Sequence, residues 1–284
     1  MSETIAPRVH PDWDWFRWYY GLFNHAEDIE ASVRGIADDG QPQTHSEAAG
    51  TLDFIDNPLA AHAIASAFDL DDQSQVIDVG CGLGGPTRLY ASSGASVVAV
   101  DLLEEQVAAH RQLNEFFEVT NIEVIQGDAQ ALPLPDSLFT HYFSIGALCH
   151  CYNRSAALAE AFRVLKPGGA LVVVDINAGP FPGDEYFGER FWQLLSNDEY
   201  GELTEAAGFT EILVRDLRTE YATQLDLYIE TMQRARSVFE PRFGGPERYQ
   251  EVLETYVGLL DGLNEGQVGA CWVQGRRPAA EPDA

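Results

Sequence analysis

The chemistry most legible in the sequence is carried by a glycine run and by the aspartates spaced around it. Val76-Ile77-Asp78-Val79-Gly80-Cys81-Gly82-Leu83-Gly84-Gly85 reads as a buried strand that ends in a glycine-rich turn and passes into a helix. A backbone without side chains there can press against a nucleotide-like ligand, and the new helix offers free N–H groups to it. Gly80-x-Gly82-x-x-Gly85 satisfies the dinucleotide pattern, and Asp101 lies about 20 residues on, where an acid holds a ribose. Three features pull the other way. Asp78 stands immediately before the turn, where a carboxylate repels a pyrophosphate and suits an amine. Asp128 closes the third expected strand, within reach of an adenine amino group. The turn also follows an aromatic-rich leader instead of opening the chain. Dinucleotides and S-adenosylmethionine both stand as cofactor classes on this pattern alone.

The elements that must position these residues alternate. Strands are expected at 75–79, 97–100, 122–126, 139–144 and 170–175, with helices at 59–68, 86–93, 104–117 and 155–165 between them. Short apolar strands alternating with helical periodicity predict an α/β fold, a doubly wound, mostly parallel sheet covered on both faces. Beyond Gly179 the rhythm changes: helices are expected over 187–195 and 197–207, a sixth strand at 211–217, helices at 223–238 and 247–263, and a closing strand at 268–274. The expected organisation is a leader over 1–57, a core over 58–217 and 266–277, a helical lid over 218–265 and a disordered tail over 278–284.

Composition narrows the partners. The net charge is −28, from 45 acids against 17 bases, of which Lys166 is the single lysine. That field repels nucleic acid and anionic membranes, and no basic groove can be assembled from the scattered bases. A carboxylate-rich, lysine-poor surface suits high salt, where screening weakens self-repulsion, and an ordinary acidic cytosolic protein carries one as well. Cys81, Cys149, Cys151 and Cys271 have no framework spacing, and Cys149-His150-Cys151 is too tight for both thiols to clamp one metal, so no metal site is expected. With no apolar run of the ~20 residues that span a bilayer and no secretory signal, a cytoplasmic location is expected.

The motifs together resemble the class I S-adenosylmethionine-dependent methyltransferases. The resemblance rests on Asp78-Val79-Gly80-Cys81-Gly82-Leu83-Gly84, on Asp101, on Gly127-Asp128-Ala129 with Leu132-Pro133, and on Leu165-Lys166-Pro167-Gly168-Gly169. It implies a seven-stranded Rossmann-like methyltransferase fold and S-adenosylmethionine as cofactor. It also implies roles. Gly80, Gly82 and Gly84 pass under the methionine part, with Cys81 a tolerated small residue among them, and Asp78 holds the amino-acid end. Asp101 takes both ribose hydroxyls, as a carboxylate can. Leu102 packs on the adenine, Asp128 accepts from its exocyclic amine beside Ala129, and Gln106 and Ser144 complete the set, Ser144 under the sulfonium. One departure stands out: many members have aspartate after the phenylalanine that opens strand four, where this chain has Thr140 after Phe139.

Methyl transfer from a sulfonium needs alignment and an unprotonated nucleophile, and no metal. Gly146-Ala147-Leu148-Cys149-His150 leads out of strand four, which makes His150 the candidate base, against a purely structural histidine. Tyr19, in the leader segment Trp13-Asp14-Trp15-Phe16-Arg17-Trp18-Tyr19-Tyr20, is a candidate for closing over the sulfonium. A helical excursion before the last strand is similar to the small-molecule branch of the family. That branch includes glycine, sarcosine and dimethylglycine N-methyltransferases and, more distantly, tocopherol and ubiquinone/menaquinone C-methyltransferases. A small-molecule methyl acceptor is therefore expected. An NAD-dependent oxidoreductase and a non-catalytic protein on the methyltransferase fold remain the alternatives.

Overall fold

The computed structural model describes residues 58–181, 194–234 and 236–280. The leader with Tyr19, the helix expected over 187–195 up to residue 193, and residues 281–284 lie outside them.

In chain order the elements are α1 (Pro58–Ala67), β1 (Gln75–Val79), α2 (Gly85–Ala91), β2 (Ser96–Asp101), α3 (Glu104–Phe116), β3 (Ile122–Gln126) and β4 (Phe139–Ile145). A 3₁₀ turn (Leu148–His150) leads to α4 (Arg154–Val164), β5 (Leu165–Ala178), α5 (Asn197–Ala206) and β6 (Thr210–Asp216). Then come α6 (Arg218–Arg234), α7 (Arg236–Arg242), α8 (Pro246–Glu265) and β7 (Val268–Arg276). The strands form one seven-stranded sheet in the order β3-β2-β1-β4-β5-β7-β6. The pairs from β3 to β5 are parallel, and β7 runs antiparallel to both β5 and β6.

Strand alternation sorts the core into two layers. Ile77, Val79, Tyr142, Leu171, Val173, Cys271 and Val273 face α4, which answers with Ala157, Leu158, Ala161 and Val164. Val76, Val97, Phe143, Val172, Val174 and Trp272 face α1 and α2. Each fully buried aliphatic contributes roughly 1.5–3 kcal/mol, so a one-residue slip of register would be prohibitive. The helices between β6 and β7 build a third core of their own, in which Leu225, Tyr228, Met232, Phe239, Tyr249, Tyr256 and Leu259 pack together. The Tyr228 and Tyr256 rings meet edge to face at 5.4 Å. No described helix is long and apolar enough to cross a membrane.

Two details depart from sequence expectation. The fifth strand runs over Leu165–Ala178 and not only over 170–175. Phe139 pairs with Leu165 and His141 with Ala170, so Lys166–Gly169 bulges out within the strand. The bulge persists because the C-terminal end of the described chain holds it: the Gly168 N–H donates to the Arg277 carbonyl and the Arg277 N–H to the Gly169 carbonyl, both at 2.9 Å. The helix expected from residue 223 begins at Arg218, where the Asp216 carboxylate accepts the Arg218 N–H at 2.8 Å.

Thr140 has a visible task. Its hydroxyl accepts the Gln75 N–H at 2.9 Å and donates to the Gln75 carbonyl at 3.0 Å, tying the start of β1 to β4. On the far side of β1, α3 packs behind the glycine turn through His110, which is fully buried. A Cβ added to Gly84, whose φ is +82°, would lie 2.2 Å from His110 Nε2. Burial first, and then the Arg88 guanidinium, hold the His110 imidazole well below its usual range.

Two predictions follow from these contacts. Replacing Thr140 with Val leaves both Gln75 backbone groups half-buried without that partner, and should lower unfolding free energy by about 1–2 kcal/mol in urea titrations. For His110, the folded state resists protonation while the unfolded chain protonates near pH 6.5, so stability is full above that value and falls as the pH drops. Half-buried His141, lowered to about 4 by burial and then Arg276, acts in the same direction. His110→Gln should flatten the decline between pH 6.5 and 5 by up to about 1.4 kcal/mol per pH unit. An unchanged slope would refute the assignment.

Candidate functional site

In this strand order the chain winds outward to one side from β1 and to the other from β4, so a crevice opens between the C-terminal ends of those two strands. The glycine turn forms one wall. The Gly80 and Cys81 N–H groups both donate to the Val100 carbonyl, at 2.8 and 3.1 Å, which folds the turn over the end of β2. Gly80 has a φ of +75°, and a Cβ on it would fall 2.1 Å from the Ala147 Cβ. The turn therefore lies directly against the loop that leaves β4. Side chains are excluded where the two halves of the crevice meet.

Asp101 closes β2 and is half-buried. One carboxylate oxygen accepts the Gly82 N–H at 3.0 Å and the other the Leu103 N–H at 2.9 Å. Burial raises its pKa, and these backbone donors pull against that rise. Leu103, not Asp101, is the N-cap of α3, and it has no side-chain cap bond. Asp78 is buried at 2% exposure, with Oδ2 accepting the Thr87 hydroxyl of α2 at 2.5 Å. Asp128 lies beyond β3, half-buried, and accepts from the Gln130 backbone N–H at 2.8 Å and side-chain amide at 3.1 Å. Gln130 passes the contact on by accepting the Asn153 N–H at 2.8 Å, just ahead of α4. Leu102 and Ala129, beside these acids, are half-buried, whereas Gln106 is buried on α3.

The wall on the β4 side is made differently. Ser144 is fully buried and donates to the Val79 carbonyl at 2.9 Å, so its hydroxyl joins β4 to β1 within the sheet. His150 ends the 3₁₀ turn, is 6% exposed, and donates its N–H to the Ala147 carbonyl at 3.1 Å. Its neighbour Cys149 takes the Arg154 Nη2 on its carbonyl at 2.8 Å. All four cysteines are buried thiols. Burial raises the Cys149 thiol well above its usual range and Cys151 to about 12, so neither is a ready nucleophile.

Asp78, Gly80, Cys81, Gly82, Gly84, Asp101, Leu102, Asp128 and Ala129 thus gather at the ends of β1, β2 and β3, with the His150 loop across from them. Tyr19 is outside the described residues. Sequence reasoning passed over Thr87, His110, Ala147 and Gln130. Only Thr87 had a sequence signal, a hydroxyl in the first turn of the helix after the glycines.

Comparisons with known proteins agree with this architecture. Residues 77–173 match the family model of the methyltransferase domain. A phosphoethanolamine N-methyltransferase from Triticum aestivum is 26% identical over 210 residues, 70% of this chain and 40% of the relative. The 2-methyl-6-phytyl-1,4-hydroquinone methyltransferase of Synechocystis is 33% identical over 172 residues, 57% of this chain and 52% of the relative. This chain therefore spans about half, or less, of the length of these relatives. Among solved structures, Haemonchus contortus phosphoethanolamine N-methyltransferase 2, in complex with phosphomonomethylethanolamine and S-adenosylhomocysteine, superposes with a TM-score of 0.70 at 20% identity. That match covers 78% of this chain and 52% of the other, and it establishes a shared fold. The seven-stranded sheet and the glycine turn at its switch point agree with this match: residues 77–173 are similar to a methyltransferase domain, and the described residues share the fold of the solved structure.

Proposed function

We propose that the protein is an S-adenosylmethionine-dependent methyltransferase with a small-molecule acceptor. The observation that carries this reading is the donor set at the crevice. A glycine turn, packed against Ala147 at Gly80 and against His110 at Gly84, lies among three carboxylates at the strand ends, Asp78, Asp101 and Asp128. Carboxylates are acceptors, suited to an ammonium group, two ribose hydroxyls and an exocyclic amine, and unsuited to a pyrophosphate. The cofactor, when bound, supplies an electrophilic methyl on a sulfonium.

In this reading the glycine turn lets the backbone approach the methionine chain while Asp78, steadied by Thr87, faces its amino end. Asp101 is already oriented by the Gly82 and Leu103 N–H groups and has further lone pairs for the ribose hydroxyls. Leu102 and Ala129 flank the adenine, and Asp128 accepts from its amine. Gln106 and Ser144 support the cradle from beneath, consistent with their burial. His150, across the crevice, takes the proton that an ammonium acceptor must lose before its nitrogen lone pair can attack the methyl, and Tyr19 closes over the reacting centre. The acceptor atom is nitrogen, in a glycine-, sarcosine- or dimethylglycine-type amine, or carbon. The names of the relatives, an ethanolamine phosphate N-methyltransferase and a hydroquinone methyltransferase, include more than one acceptor type. Dinucleotide oxidoreduction is the weaker reading because Asp78 and Asp128 would oppose the phosphates.

S-adenosylhomocysteine should raise the melting temperature and NADH should not, since only a ligand of the folded state stabilises it. Asp101→Ala should weaken S-adenosylhomocysteine binding by roughly 10- to 100-fold, the worth of hydrogen bonds to a charged group. Equal affinity would overturn the ribose assignment. Incubation with labelled S-adenosylmethionine and glycine, sarcosine or dimethylglycine should give a methylated product. In that assay His150→Ala should lower turnover roughly 100-fold or more while leaving cofactor affinity in place. Turnover equal to that of the parent would remove His150 from the mechanism.

A further inference from the structure

The loop after β3 carries Asp128 and Ala129 and then runs through Leu132-Pro133-Leu134-Pro135, where two prolines bring no backbone N–H. A stretch of this kind builds no ladder of its own, yet one pair of side chains stitches it to the flank of α4. Glu160 Oε2 accepts the Leu132 N–H at 2.7 Å. The Arg163 guanidinium, one turn further along α4, donates from Nη2 to the Leu132 carbonyl at 3.1 Å and from Nη1 to the Leu134 carbonyl at 2.7 Å. The two side chains also grip each other, Nε on Oε1 and Nη2 on Oε2, both at 2.7 Å. Arg163 Nη1 reaches the Asp136 carboxylate as well, at 2.6 Å. None of the roles above includes Glu160 or Arg163.

The clamp reaches Asp128 from both sides. Leu132 is buried, and Pro133 beside it packs on Gly127, where an added Cβ would lie 2.9 Å from the Pro133 Cδ. Gly127 is the residue before Asp128, and its N–H donates to the Asp101 carbonyl at 2.9 Å. On the other side, the Ala131 N–H donates to the Asp128 carbonyl at 2.9 Å. Gln130 joins the Asp128 carboxylate to the N–H of Asn153, the N-cap of α4. The loop is therefore docked on α4 at the start of the helix and again near its end. An exposed ion pair contributes little to stability. Here the side chains are 19% and 29% exposed, the guanidinium forks onto both carboxylate oxygens, and their other bonds include three to loop backbone. A planar fork of this kind fixes direction as well as distance.

We propose that Glu160 and Arg163 are positioning residues for cofactor recognition. By clamping Leu132 and Leu134 to α4 they fix the loop after β3, so that Asp128 stands where it selects a purine with an exocyclic amine over one with a carbonyl. The inference rests on the reading of Asp128 given above.

Two ligands separate this role from a merely structural one: S-adenosylhomocysteine, and its inosine analogue, in which a carbonyl replaces the amine. The full-length parent should bind the first roughly tenfold or more tightly than the second, since the carbonyl offers Asp128 no donor at that position. In Arg163→Ala and Glu160→Ala that preference should fall by roughly threefold or more. Amide hydrogen exchange over 128–134 should become roughly tenfold faster or more, while exchange over 97–101 in β2 stays within about twofold of the parent. Arg163→Lys keeps the charge and loses the fork, so it should behave as the alanine variants do. A lysine variant with the parent's preference would show that charge alone suffices and would overturn the clamp. Faster exchange with the preference intact would make the pair merely structural and overturn the proposal, and unchanged exchange in a folded variant would overturn it at the first step. A parent that binds both ligands alike, or neither, overturns the reading of Asp128 and the proposal with it. A parent that discriminates, with variants that discriminate equally, overturns the proposal alone. Should an alanine variant fail to fold, Arg163→Lys carries the same comparison.

Discussion

The turn after β1 and the loop after β4 touch at Gly80 and Ala147, where there is no room for a side chain on the glycine. Most of the site depends on that contact. It sits where the sheet reverses its winding, so it joins the half of the crevice built by β1, β2 and β3 to the half built by β4 and β5. A bulkier residue at position 80 would require a strained positive φ and would also push the His150 loop away from the acids. The turn after β1 and the loop that carries His150 are thus brought together by backbone packing. The sheet beneath supplies rigidity, through Ser144 on Val79 and Thr140 on Gln75.

The acids around this contact differ in how they are held. Asp101 is oriented by two backbone N–H groups, Asp78 by a threonine hydroxyl, and Asp128 by a glutamine that also reaches the start of α4. Asp175 of β5 is as buried as Asp78, and its partners are the Tyr200 hydroxyl from α5 and the Ile176 N–H of its own strand. The helices between β6 and β7 bury their aromatic residues in a core of their own, so most of the rings conspicuous in that segment hold the helices together.

Local pattern made much of this readable. The alternation of short apolar strands with helices determined the parallel sheet, because a period of two that gives way to 3.6 permits few other layered arrangements. The strand–glycine–helix run and the acids at the strand ends marked the crevice, because a positive φ and a carboxylate at a strand end leave their signature in residue type. Position along the chain also determined that His150 follows β4. The tertiary structure alone decided what depends on residues distant in sequence. Ser144 is 65 residues from the Val79 carbonyl that takes its hydroxyl, and Tyr200 is 25 from Asp175. His110 stops against Gly84 only because α3 packs there, and Lys166–Gly169 bulges within β5 where Arg277 pairs with it. Such contacts are set by packing across the sheet and have no sequence period, so they were hidden, while residues whose type marks a turn or a strand end were in view.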